Sequence, residues 1–160
     1  MKKFVLIVAV VAFYATANAQ FNLDKDYEIK NTSGYVLDVA GGGEDNGTNV
    51  QLWTANGSAA QTWKLIEAPD NLFYILNPKS GKFLDVNRAN FSRGTNIHIW
   101  QTNCGVAQKF KIIPAKDGYF FIKAFEGELY LTPQYSNVTE GTNLVLWDKN
   151  NLSKWLLNAK

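Results

Sequence analysis

The chain has 160 residues, with 16 Lys and Arg against 14 Asp and Glu, a single His and a single Cys, a length suited to one domain with a substantial core. Without Lys2 and Lys3, which sit in the leader described next, basic and acidic residues balance at 14 each. Neither nucleic acid nor an anionic membrane surface is therefore expected as the principal partner. A lone Cys104 rules out an intramolecular disulfide and leaves packing alone to hold an exported domain together.

In chain order, Lys2 and Lys3 lead into an apolar run from Phe4 to Phe13, and Ala17-Asn18-Ala19 follows. This pattern predicts a secretory signal peptide over residues 1–19, too short and wrongly flanked for a spanning helix. The mature chain is expected from Gln20, secreted outside the cell or into a periplasm. No later run is apolar for long enough to insert into a bilayer.

The rest of the chain is one text written three times. "GTNVQLW" at 47–53 returns as "GTNIHIW" at 94–100 and "GTNLVLW" at 141–147, each 47 residues after the last. Upstream, Gly34-Tyr35-Val36-Leu37-Asp38-Val39 matches Gly81-Lys82-Phe83-Leu84-Asp85-Val86 and, more loosely, the segment from Gly127 to Thr132. Downstream, Gln61-Thr62-Trp63 matches Gln108-Lys109-Phe110 and then Ser153-Lys154-Trp155 after a two-residue deletion. Three units, 27–66, 73–113 and 119–157, cover nearly all of the mature domain, residues 20–160. Each holds about four short runs of β-branched and aromatic residues broken by Gly, Asn and Pro, a pattern for strands and not for paired helices. Propellers begin at about four blades, whereas three four-stranded units closing on themselves make a β-trefoil. The expected fold class is all-β, a β-trefoil with pseudo-threefold symmetry.

Side chains alternate sides along a strand. With Val50 and Leu52 in the core, Gln51 and Trp53 face out; with Ile97 and Ile99 inside, His98 and Trp100 face out. In the third unit, Val145 and Trp147 face out. The same alternation sends Asp38 and Asp85 outward. A carboxylate beside an outward indole suits a sugar, which offers a C–H face to the ring and hydroxyls to the acceptor. Trp63, Phe110 and Trp155 fall at core positions.

At these residues the chain resembles the ricin B-type (R-type) lectin domain, marked by a threefold Gln-x-Trp repeat, over about 27–157. The resemblance implies a non-catalytic, galactose-type carbohydrate-binding module with an Asp, a stacking aromatic and polar partners in each working unit. In the first unit these would be Asp38, Trp53, Gln51 and Gln61; in the second, Asp85, Trp100, His98 and Gln108. The third unit departs most, with Leu131 at the Asp position, Val145 at the polar position and Ser153 at the Gln position. Only Trp147 remains there, and its site is expected to be dead or altered. Where the family often has Asn before the Gln, this chain has Ala60 and Ala107, so Asn56 or Asn103 is a candidate to supply the missing hydrogen bond.

Blander readings stand beside these. Asp38 and Asp85 could tie turns to backbone N–H groups, Gln61 and Gln108 could brace hairpins, and Asn56, Asn103 and Asn150 could mark turns. His98 touches a sugar or is a solvated strand residue. One His builds no metal cluster, and no nucleophile–base set surrounds it, so neither a metal, a cofactor nor an enzyme is expected. Six Asn-x-Ser/Thr sequons begin at Asn31, Asn46, Asn56, Asn90, Asn137 and Asn151. Glycans are the expected partner. The competing reading is a trefoil interaction module, of protease-inhibitor or receptor-ligand type, whose sugar sites have decayed.

Overall fold

The structure is a computed structural model that describes residues 21–160; the leader expected over 1–19 lies outside them. The described residues form twelve strands and several single 3-10 turns. β1 (Asp26–Asn31), β2 (Val36–Val39), β3 (Val50–Trp53) and β4 (Trp63–Ala68) make the first group. β5 (Leu72–Asn77), β6 (Lys82–Val86), β7 (Ile97–Trp100) and β8 (Phe110–Pro114) make the second. β9 (Phe120–Ala124), β10 (Leu129–Pro133), β11 (Leu144–Asp148) and β12 (Lys154–Ala159) make the third.

Antiparallel pairing runs β1–β4, β4–β5, β5–β8, β8–β9, β9–β12 and back from β12 to β1. That circuit is a closed six-stranded barrel, which leaves no open sheet edge in the ring. The remaining strands form the hairpins β2–β3, β6–β7 and β10–β11. Each hairpin pairs with the first strand of its own group. The chain is a β-trefoil.

The core takes a matching row of side chains from each unit. That row is Ile29, Leu37, Leu52 and Leu65 in the first unit, and Ile75, Leu84, Ile99 and Ile112 in the second. Trp63, Phe110 and Trp155 are fully buried in the same cluster. The two indoles also donate Nε1–H to the carbonyls of Leu37 (3.0 Å) and Leu131 (3.1 Å). A buried indole thus keeps its one polar group paired.

The repeated phrase is where the three units meet. Asn49 Nδ2 donates to Asn143 Oδ1 (2.9 Å), Asn143 Nδ2 to Asn96 Oδ1 (2.8 Å), and Asn96 Nδ2 to Asn49 Oδ1 (3.0 Å). The amides form a closed ring. Around it the backbone repeats the same exchange: Gly47 N–H to Ile99 O, Gly94 N–H to Leu146 O, and Gly141 N–H to Leu52 O. The three glycines have φ of +85°, +82° and +77°, a region in which a Cβ is strained.

The register corrects one sequence expectation. In β2 Asp38 stands opposite Gln51, and in β6 Asp85 stands opposite His98; in β10 it is Thr132, not Leu131, that stands opposite Val145. The turn before β10 holds one extra residue after the matched glycine, which shifts a glycine-anchored alignment by one. Asp38, Asp85 and Thr132 keep the 47-residue spacing of the phrase. Leu131 is a core residue.

Candidate functional site

Period-2 alternation places Asp38 and Asp85 on the side away from the core row, yet both are buried, at 5% and 4% exposure. The expectation of outward, open carboxylates is corrected. The reason is tertiary: the turn Ala59–Gln61, and its counterpart Val106–Gln108, fold over the hairpin and bring a glutamine against it. Val145 is likewise buried despite lying on the outer side.

Gln61 is fully buried. Its Nε2 donates to Asp38 Oδ2 (3.0 Å) and to Thr54 O (3.0 Å), while its Oε1 accepts from Asn56 N–H (2.9 Å). An amide offers two donors and one carbonyl, so Gln61 has no donor left for a ligand. Gln108, also fully buried, donates to Gln101 O (2.9 Å) and accepts from Asn103 N–H (3.2 Å). Of the two roles the sequence leaves open for these glutamines, ligand contact and bracing, these bonds are bracing ones. Gln61 acts on its site only through Asp38.

Gln51 Nε2 holds the other oxygen of Asp38 (Oδ1, 3.1 Å). In the second unit His98 Nε2 takes that role at 3.1 Å from Asp85 Oδ1. A carboxylate only accepts, so the proton of a neutral His98 sits on Nε2. The imidazole also stacks on Trp100, with centroids 5.4 Å apart and planes 23° apart. Each carboxylate is thereby fixed by side chains from its own hairpin, with lone pairs to spare.

Trp53, Trp100 and Trp147 stay 37%, 36% and 43% exposed. Each belongs to an open cleft. One of about 400 Å³ is lined by Asp38, Gln51, Trp53, Asn56, Ala60 and Lys79, among others. A second of about 490 Å³ is lined by Asp85, Arg88, His98, Trp100, Asn103 and Ala107, among others. The third, about 410 Å³, holds Thr132, Tyr135, Trp147 and Asn150. The third unit therefore keeps a cleft and an exposed indole. What it lacks is the carboxylate. Thr132 Oγ1 donates to Tyr130 O (2.9 Å), and Ser153 Oγ stands 2.9 Å from it while accepting from Asn150 N–H (3.1 Å). Thr132–Ser153 is a shortened, uncharged copy of Asp38–Gln61.

Asn56 and Asn103 line their clefts beside Ala60 and Ala107, and they also shape the turns. Asn56 Oδ1 accepts from Ser58 N–H (2.9 Å) and Asn103 Oδ1 from Gly105 N–H (2.8 Å). Lys79, which sequence reasoning did not single out, comes into the first cleft from the second unit. Its Nζ donates to Gly42 O (2.8 Å). Only the packing of one unit on the next brings it there. Among the described residues no group of three His, Cys, Asp or Glu stands where it could hold a metal ion, and no helix is long and apolar enough to cross a membrane.

Comparison with known proteins follows the same lines. The family profile described as ricin-type beta-trefoil lectin domain-like matches residues 17–100 and 71–147. No curated protein sequence matches. Among solved structures, the designed three-fold symmetric protein ThreeFoil is similar at TM-score 0.81 and 26% identity, over 83% of this chain and 97% of that one. An exo-β-1,3-galactanase from Clostridium thermocellum is similar at TM-score 0.81 and 30% identity over 85% of this chain, which spans only 30% of the galactanase. The Rhizoctonia solani agglutinin is similar at TM-score 0.76 and 26% identity, over 85% of this chain and 95% of its own.

Proposed function

Since this chain belongs to the family of ricin-type β-trefoil lectin domains, a carbohydrate-binding role is its premise, and we propose that it is a secreted, non-catalytic lectin for galactose-type glycans. The observation that carries this reading is the buried Asp38, clamped by Gln51 and Gln61 beneath the exposed Trp53, together with its repeat in Asp85, His98 and Trp100.

The chemistry of such a cleft is recognition without a reaction. The carboxylate accepts two adjacent sugar hydroxyls, charge-assisted bonds that are stronger than neutral ones. The indole covers the apolar face of the ring. Holding Asp38 by two amides before a ligand arrives keeps its ordering from being charged against binding. In the first cleft the half-exposed Gln51 adds a polar contact, and in the second His98 does; Asn56 and Asn103 stand at the rim where the family's Asn would contribute. Secretion is supported by the signal-peptide pattern of the sequence over 1–19, and galactose-type specificity by the galactanase likeness. The retention of both Asp–Trp clefts favours this reading over a decayed interaction module.

A glycan array probed with the mature protein tests it. Binding confined to glycans that contain galactose-type residues, and lost in the double variant Asp38→Asn, Asp85→Asn, is the expected result. Binding that survives the double variant would overturn the assignment.

A further inference from the structure

The two clefts share a scaffold but differ at one turn. After Asp38 the chain passes through Gly41 and Gly42 at φ of +62° and +63°; after Asp85 the same turn is made by Arg88 and Ala89 at φ of +57° and +51°. Left-handed backbone is free for glycine and strained for a residue with a Cβ. The fold accepts Gly-Gly at this place, so the turn itself does not require arginine. A strained non-glycine held at the edge of a site points to a function for its side chain.

Arg88 is exposed and lines the second cleft with Asp85, His98 and Trp100. None of the ion pairs among the described residues uses it. Asp85, the acid of that cleft, is engaged by His98 Nε2 at 3.1 Å. The first cleft has a cation too, but Lys79 is committed: its Nζ donates to Gly42 O at 2.8 Å and lies 3.6 Å from Glu44. One cleft offers an ammonium already engaged by Gly42 O and Glu44, the other a guanidinium in none of the ion pairs of the described residues.

We propose that Arg88 makes the second cleft prefer glycans carrying a carboxylate, such as a sialic or uronic acid, over neutral ones, a preference the first cleft lacks. A guanidinium presents two parallel N–H donors that match a carboxylate. Asp85 and Trp100 would hold one pyranose and Arg88 the acid group on the same or the adjoining residue. The inference rests on the reading of both clefts as sugar sites.

The test uses the full mature chain carrying Trp53→Ala, so that the second cleft is read alone, and titrates lactose and sialyllactose by calorimetry. Sialyllactose is expected to bind about fivefold tighter than lactose in low salt, the scale of one exposed ion pair, and the preference should shrink in about 0.5 M NaCl. Arg88→Gly, which restores the residue found at Gly41, should bring the ratio of the two affinities to about one. A wild-type ratio of one, or a preference that survives Arg88→Gly, overturns the role of Arg88. Adding Trp100→Ala separates the two ideas. If that change leaves sugar binding intact, or if neither sugar binds at all, the sugar-site reading itself falls; lactose binding that depends on Trp100 without acid preference sinks only the arginine.

Discussion

Trp100 rests on Gly47 of the preceding unit: a Cβ placed on that glycine would stand 3.7 Å from Cζ3 of the indole. Gly94 stands in the same relation to Trp147 and Gly141 to Trp53, at 3.9 Å each. The first and last letters of "GTNxxxW" thus meet across the seams, Gly from one unit against Trp from the next. Each exposed platform is seated on its neighbour.

This relation bears on the glycines first. At 3.7–3.9 Å a methyl would be in ordinary contact, so space does not forbid alanine; the positive φ does. Gly47→Ala is expected to destabilise by about 1–2 kcal/mol, with Gly94→Ala and Gly141→Ala alike. Urea denaturation measures it, and three variants as stable as the wild type would refute the strain argument.

The ring of Asn49, Asn96 and Asn143 should behave as one unit. Asn49→Ala leaves Asn96 Nδ2 and Asn143 Oδ1 without partners, which costs roughly 1–3 kcal/mol for half-buried amides. Adding Asn96→Ala should then cost less than the first loss did, because its donor is already idle. Strict additivity in a double-mutant cycle would show that the three amides are not coupled.

Gln61 and Gln51 separate bracing from contact. Gln61→Ala strips a buried carboxylate oxygen, a backbone carbonyl and a backbone N–H of their partner, so a loss of about 2–3 kcal/mol is expected, with weaker sugar binding in the first cleft. Gln51→Ala, at a half-exposed position, should leave the melting temperature within a few degrees while lowering affinity. Equal effects of the two on melting would contradict the distinction.

Outer and inner tryptophans should divide in the same way. Trp53→Ala and Trp100→Ala remove half-exposed rings and should lose sugar affinity by about 1–3 kcal/mol, the scale of an aromatic stacking platform. Trp63→Ala opens a core cavity and should cost roughly 3–5 kcal/mol of stability. Collapse of the fold in Trp100→Ala would mean that its seat on Gly47 matters more than its exposed face.

Valency follows from the missing carboxylate in the third unit. Two clefts with an acceptor should give a stoichiometry near two for a neutral monosaccharide, each with a Kd on the order of 0.1–1 mM. Avidity on a dense glycan surface then rises by about a hundredfold or more through simultaneous engagement. A stoichiometry of three would show that Thr132 and Trp147 suffice.

The trefoil was legible in the chain because its determinants are local and repeated. A 47-residue period, period-2 alternation in "VQLW" and "IHIW", and glycines where the backbone turns left-handed all act over a few residues. The closeness of Asp38 and Trp53 was legible for the same reason: both lie on one hairpin, two register positions apart. What the chain could not show is whatever depends on separate segments meeting. The burial of Asp38 under Gln61, the reach of Lys79 into its neighbour's cleft and the Asn ring all join residues 23 to 94 positions apart. Even Thr132, at its 47-residue spacing, was hidden by a one-residue turn insertion that only strand pairing corrects. Alternation tells which side of a strand a residue takes. Whether that side meets water or another segment is decided when the units close on one another, because burial is a property of the assembled surface and not of the strand.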